Sequence, residues 1–371
     1  MTGLKRFTNR IHLNHVELLL IVVFLLVNLR ILNWFEPPYI VMGGDLRPPV
    51  FPSAFLKGVV YTWNEIDWGI PSVYTPRILD PFSFFVTAFQ TTGVNTSSSQ
   101  LMATYLIYLA VSILVYIYVK RLTNGDILAA FIAALFFTSN IHLVVDREQT
   151  AIGFIDLSLM ILPCLVAFIE GLKKESYTIT AISGFLFTLT YGAFPNYRAP
   201  VLCLVGLLVT LLFMYINLGL KVGYVKNENS KLLNVSFDWG LARKYIKCLI
   251  VFIIAVFLAS IWVIVLVSAN FNIFLTAYGQ ATTTVSSYGL FIQPHDVLRL
   301  IAKWSFYSGA LGNLYTPYST VYLSNPILIV LSYIPPILAF AALFVSRSRK
   351  LAIFFASVAT VFLAFTSGFT P

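Results

Sequence analysis

Asp45 stands in the stretch Tyr39-Ile-Val-Met-Gly-Gly-Asp45-Leu-Arg47-Pro-Pro49, between a long apolar run and a long polar segment. Two glycines free the backbone just before the acid, and two prolines stiffen the chain just after the cation. A carboxylate on such a turn can take a proton from a hydroxyl, provided that the hydroxyl lies within hydrogen-bond reach. A guanidinium two residues away can clamp a phosphate with the bidentate geometry that suits arginine. The same pattern is also an ordinary Gly-Asp turn joining two segments, so its meaning depends on its surroundings.

Groups of the same kind recur in other polar segments. Asp146, Arg147 and Glu148 separate two apolar runs, and Arg198 closes Tyr191-Gly-Ala-Phe-Pro-Asn-Tyr-Arg198. Arg77 shares the Asp45 segment, and Arg299 and Lys303 follow His295 and Asp296. Asp45, Asp146 and Glu148 are candidate catalytic acids. Coming from separate segments, they also supply the oxygen ligands that hold a divalent cation such as Mg, Mn or Ca. Arg47, Arg77, Arg147, Arg198, Arg299 and Lys303 are candidates for holding a phosphate. Arg147 and Arg198 equally suit anchoring at lipid headgroups. Glu65 and Asp67 suit a solvated loop face, and Asp80 suits the N-cap of a helix opening at Pro81.

The chain that positions these groups is 58% hydrophobic and 11% charged over 371 residues, with a mean hydropathy of +0.85. A soluble domain carries about 25% charged residues, so this composition points to a polytopic membrane protein. The net charge of +9 does not point to nucleic acid, because the cations sit between apolar runs rather than in one patch. Cys164, Cys203 and Cys248 lie in or beside apolar runs without metal or disulfide spacing, and read as packing residues. His12, His15, His142 and His295 have no metal-ligand spacing, and no phosphate-cradling or dinucleotide motif is present. Asn95-Thr-Ser97 is a glycosylation sequon.

Nine runs are long enough to cross a hydrocarbon core of about 30 Å as helices. They fall near 16–35, 101–119, 127–145, 151–170, 177–193, 200–218, 248–268, 326–345 and 351–369. With the N-terminus in the cytoplasm, the inner segments carry 16 Lys and Arg and the outer ones 7, the bias expected of cytoplasmic loops. The first run, preceded by Lys5, Arg6 and Arg10, reads as a signal anchor. The last run reaches Pro371 without a polar tail, so the single membrane domain, 1–371, is expected to be part of a longer protein. Outer segments 36–100 and 269–325 are too apolar for free linkers. Phe51–Tyr61, Leu79–Thr92 and Asp296–Trp304 are expected as helices lying in the interface plane. Pro163 is expected to kink the fourth run. Asp156 and Arg30 are ionisable groups within spans, where a partner or a cavity is expected.

The order of these features resembles the GT-C superfamily of integral-membrane glycosyltransferases. It is most similar to the AftD-like arabinofuranosyltransferases and the YfhO-like membrane proteins. The resemblance rests on Gly43-Gly-Asp45, Thr138-Ser-Asn140, Ile161-Leu-Pro163, Asn325-Pro326 and Thr366-Ser-Gly-Phe-Thr-Pro371. It implies an all-α, GT-C-like membrane fold and a polyprenyl-phosphate-linked sugar donor. The acid of the first outer loop, Asp45, becomes the general base, with Asp146 or Glu148 in support. Where many members carry paired acids in that loop, Asp45 is followed here by Leu-Arg.

The expectation is therefore a glycosyltransferase at the outer face of the cytoplasmic membrane. It would pass a sugar, with inversion, to a glycan, lipid or protein hydroxyl. A transporter or flippase for lipid-linked glycans, which needs ionisable groups at the bilayer midplane, and a non-catalytic GT-C-like scaffold are the alternatives.

Overall fold

The computed structural model describes residues 15–34, 38–40, 63–64, 70–71, 81–123, 125–140, 153–188, 190, 220–227, 230–261, 294–299, 309–310, 313–314, 319–345, 352–354 and 356–360. These residues are mostly helical. The helices are α1 (His15–Asn28, continued by a 3-10 segment Leu29–Trp34), α2 (Pro81–Thr91), α3 (Thr96–Leu122) and α4 (Ile127–Ser139). They continue with α5 (Gly153–Lys173), α6 (Tyr177–Thr188), α7 (Trp239–Ala259), α8 (Pro294–Leu298), α9 (Ser319–Ser324) and α10 (Pro326–Val345). Three antiparallel pairs add strands: β1 (Trp63–Asn64) with β2 (Ile70–Pro71), β3 (Leu220–Asn227) with β4 (Ser230–Phe237), and β5 (Gly309–Ala310) with β6 (Asn313–Leu314).

α3 is the one described helix that is long and apolar enough, by length and composition, to cross a membrane. Its 27 residues rise about 40 Å at 1.5 Å each. Asn95, the first residue of the sequon, starts it: its side chain accepts from Ser98 N at 2.8 Å, satisfying one of the open N–H groups of the first turn. Ala103, Ile107, Val111 and Val115 form a buried ridge at four-residue spacing. Phe24 and Ile31 of the first helix, Phe82 and Val86 of α2, and Ala130 and Ala134 of α4 join them in one core. The two alanines, one turn apart, let α4 lie close to its neighbours.

A second core holds α5, α6 and α7 together through Cys164, Phe168, Phe187, Tyr245 and Phe252. Phe168 meets Tyr245 and Phe252 edge-on, with centroids 5.8 Å and 5.5 Å away, the arrangement that opposes ring edge to ring face. Gly184 permits the contact of α6 with α7: a Cβ there would stand 2.7 Å from both Ala255 Cβ and the Phe252 carbonyl. Cys164 and Cys248 are buried, free thiols, as their setting in the sequence implies; Cys203 lies outside the described residues.

Alongside these apolar cores the described residues bury several polar side chains and expose apolar ones. Asn28, Gln100, Thr104, Ser112, Thr180 and Ser183 are buried. Leu128, Ile132 and Phe136 on α4, and Ile250, Ile254 and Leu258 on α7, are exposed at four-residue spacing. Apolar stripes of this extent mark an interaction surface, for a membrane or for another protein segment.

Several boundaries depart from the sequence reading. α4 stops at Ser139, not near 145; Asn140 turns extended with ψ 152°, and Arg30 takes up the carbonyl of Thr138. α7 begins at Trp239, nine residues before the expected 248, because Asp238 caps it by accepting from Leu241 N at 3.1 Å. The hairpin β3–β4 occupies a segment read as a cytoplasmic loop. Helix continues through Pro163. α2 falls within the expected Leu79–Thr92 helix, and α8 (Pro294–Leu298) overlaps the start of the expected Asp296–Trp304 helix, whose residues 300–304 lie outside the described residues. The 200–218 run and the Phe51–Tyr61 helix lie outside the described residues, and 351–369 is described only at 352–354 and 356–360.

Candidate functional site

Helix pairing sorts the helix ends into two groups. At one end, Lys120 on the last turn of α3 donates to Glu17 on α1, and the Tyr116 hydroxyl donates to the same carboxylate oxygen at 2.9 Å. Arg121 pairs with Glu170 of α5 at 3.0 Å, and Lys173 donates to the Arg121 carbonyl at 3.0 Å. Lys244 of α7 reaches Glu175, in the α5–α6 turn, at 2.5 Å. The hydrogen bond to Glu175, then its negative charge, hold the Lys244 ammonium above the ordinary lysine range. These contacts gather the starts of α1, α6 and α7 with the ends of α3 and α5. Gly125, at φ +103°, turns the chain there into α4, whose cap Asp126 accepts from Ala129 N at 2.9 Å; glycine meets no steric cost at that φ.

Away from that end, the described residues stop at Ile40 and Asn140, ahead of the segments that carry Asp45 and Asp146. Arg30, just past α1, donates to the Thr138 carbonyl at the end of α4. The Ser97 hydroxyl, at the start of α3, donates to the Tyr39 carbonyl at 2.7 Å. A cation near a helix C-terminus is favoured by the partial negative charge of its last carbonyls, so Arg30 serves as a helix-end ligand. Deeper in the bundle, Asn28 Nδ2 donates to the Phe24 carbonyl at 2.9 Å and to Ser112 Oγ at 3.1 Å. The Tyr105 hydroxyl donates to the Leu25 carbonyl at 3.2 Å. These buried polar ties escaped the sequence reading; the only signal for them was the presence of amide and hydroxyl residues inside apolar runs.

Asp45 lies six residues beyond Tyr39, and Asp146 eight beyond Thr138. Asp45, Arg47, Arg77, Asp146, Arg147, Glu148, Arg198 and Lys303 lie outside the described residues, as do Glu65, Asp67 and Asp80. Asp156 falls on α5, but its side chain is outside the description. Among the described residues no group of three or more His, Cys, Asp or Glu is arranged to hold a metal ion.

Arg299 is the one candidate that is described, and it is only 5% exposed. Its Nε donates to Ser332 Oγ at 2.8 Å, and an Nη donates to the Tyr322 carbonyl at 2.9 Å. The rings of Tyr322 and Tyr333 lie 5.9 Å and 6.0 Å from the guanidinium carbon, within range of a cation–π attraction. Burial pushes the Tyr322 phenol above its ordinary range, against the opposing pull of Arg299. Arg299 thus ties α8 to α9 and α10. Beside it, His295 Nε2 lies 3.2 Å from the buried Asp296 carboxylate.

No protein-family profile, no curated protein and no solved structure matches the chain.

Proposed function

We propose that the chain is a multi-pass membrane glycosyltransferase of the GT-C type. Its cation-rich end would face the cytoplasm, and its Asp45 and Asp146 segments would face outward. The observation that carries this reading is the gathering of Lys120, Arg121, Lys173 and Lys244 at one bundle end. The Ser97–Tyr39 contact holds the chain ahead of the Asp45 segment at the start of α3, and the Arg30–Thr138 contact ties the first helix to the end of α4, ahead of the Asp146 segment. The exposed apolar stripes on α4 and α7 support a lipid surround.

In the proposed reaction Asp45 accepts the proton of the acceptor hydroxyl. That oxygen attacks the anomeric carbon of a polyprenyl-phosphate sugar from the face opposite the phosphate. The bond from the anomeric carbon to the phosphate oxygen breaks, and the lipid phosphate departs with the electron pair. Arg47, Arg147 and Arg198 offset its charge, and Asp146 or Glu148 supports the base or holds a divalent cation. The transporter alternative needs ionisable groups meeting at mid-depth. Arg30, one of the two such groups, is instead directed to a helix-end carbonyl.

The test is sugar transfer in membranes supplied with polyprenyl-phosphate sugars. Asp45→Asn is expected to lower turnover by roughly 100-fold or more, the scale of general-base catalysis. Undiminished transfer removes Asp45 as the base.

A further inference from the structure

The outward face of α7 carries an order of residue types that neither the packing of the bundle nor the proposed reaction uses. On its inward face Ala242, Tyr245, Cys248 and Phe252 are buried, and Tyr245 and Phe252 belong to the core shared with α5 and α6. On the outward face Trp239 is 66% exposed, and Arg243 and Lys247 are exposed. Ile246, Ile250, Ile253, Ile254, Phe257 and Leu258 continue the exposed face along the helix. At about 100° per residue these positions fall within about 140° of the helix circumference, so they form one stripe. An indole comes first, then two cations with Ile246 between them, and after Lys247 only hydrocarbon.

The two cations on this stripe differ from the others at the same bundle end. Lys120 pairs with Glu17, Arg121 and Lys174 pair with Glu170, and Lys244 pairs with Glu175. Lys173 donates to the Arg121 carbonyl. Arg243 and Lys247 have no acidic partner among the described residues. The nearby Asp238 carboxylate serves as the helix cap, accepting from Leu241 N. Four residues apart, Arg243 and Lys247 place like charges one turn from each other, which disfavours the helix. An anion beside both offsets that repulsion.

Beyond the cations, Ile250 to Leu258 rise about 12 Å at 1.5 Å per residue, most of one leaflet of a hydrocarbon core about 30 Å thick. An indole is favoured at the headgroup level, and long basic side chains reach lipid phosphates from there. A free phosphate would match the cations and leave the apolar part uncovered, whereas a phospholipid matches both parts. Two cations without acidic partners favour a headgroup of net negative charge over one whose own ammonium cancels its phosphate. We infer that the outward face of α7 is a binding site for an anionic phospholipid. Arg243 and Lys247 hold its phosphate at the cation-rich end of the bundle, and its acyl chain lies along Ile250–Leu258. This inference rests on the membrane reading of the chain, not on its being a transferase.

The experiment titrates the full chain in detergent with phosphatidylglycerol and with phosphatidylcholine of the same acyl chains, and counts bound lipid by native mass spectrometry. Phosphatidylglycerol is expected to bind more tightly. Arg243→Gln and Lys247→Gln should each weaken its binding roughly five-fold, the factor carried by one basic residue at an anionic surface. Arg243→Lys should keep the affinity, and Lys174→Gln, at a cation already paired with Glu170, should leave it unchanged. Equal affinity for the two lipids overturns the inference, as does a phosphatidylglycerol preference indifferent to Arg243 and Lys247. A photo-crosslinking p-benzoylphenylalanine in place of Ile254 identifies what covers the stripe in membranes. Phospholipid is the expected product, and a crosslink to a protein segment overturns the inference. Alkaline carbonate extraction of the same chain from membranes separates the two failures. A chain that washes off loses the membrane reading and the lipid site with it. A chain that resists extraction while binding both lipids equally loses only the lipid site.

Discussion

Arg30 donates to the main-chain carbonyl of Thr138, 108 residues away in sequence. The bond fastens the end of the first helix to the end of α4, ahead of the segment that carries Asp146. Replacing the arginine leaves a carbonyl at a helix end without its charged donor. Arg30→Met is expected to cost about 1.5–3 kcal/mol, the range for a hydrogen bond to a charged group. It should also reduce transfer, by loosening the end of α4 that leads to Asp146. Reversible unfolding in mixed micelles measures the first effect, and turnover at saturating donor the second.

Arg299 offers a sharper contrast because its partners differ in geometry. Methionine fills much of its volume but leaves Ser332 Oγ and the Tyr322 carbonyl without the guanidinium; a loss of roughly 2–3 kcal/mol is expected. Lysine keeps the charge but lacks the planar fork that reaches both partners and lies against two rings. Arg299→Lys should therefore lower the thermal midpoint in detergent nearly as far as Arg299→Met. Full recovery by lysine would show that charge alone matters there.

Gly184 tests the second core. Any Cβ must displace backbone of α7, at the Phe252 carbonyl, as well as the Ala255 side chain. Gly184→Ala is expected to destabilise by about 1–3 kcal/mol through overpacking. Gly184→Ala combined with Ala255→Gly should recover part of the loss, measured by the same unfolding assay.

The Lys244–Glu175 contact predicts a titration. The folded-state lysine is raised above its ordinary value, so the tie is fully present below that value and is lost as pH rises through the higher folded one. Glu175→Gln is expected to return the Lys244 ammonium toward its ordinary range. NMR titration of the methylated lysine reads the change directly. Both groups are solvent-exposed, with side-chain exposures of 54% and 61%, so little change in stability is expected.

The positions of most helices were legible because lipid-length apolar runs leave few other choices. α1 starts one residue from its expected start, and Asn325-Pro326 opens α10 where expected, with Asn325 Oδ1 accepting from Ile327 N at 2.9 Å. The start of α7 was not legible. Arg243, Lys244 and Lys247 interrupt the hydropathy there, while Ala242, Tyr245 and Cys248 keep a buried helical face at three-residue spacing. The hairpin was hidden by the same cations, which dominate the composition of a segment whose alternation has period two. For the candidate site, the sequence supplied residue types but not partners. Arg30 read as an ionisable group in need of a partner or a cavity, and Arg299 as a phosphate ligand, because main-chain carbonyls leave no trace in a sequence.

The long-range contacts of the first helix also constrain its biogenesis. Glu17 and Arg30 meet Lys120 and Thr138 across 103 and 108 residues. At roughly 5–20 residues per second, those counterparts leave the ribosome on the order of 5–20 s after the first helix does. During that interval a carboxylate and a guanidinium must be accommodated by something other than their final neighbours. In the membrane protein proposed above, the insertion machinery or the lipid headgroups would shelter the first helix until α3 and α4 arrive.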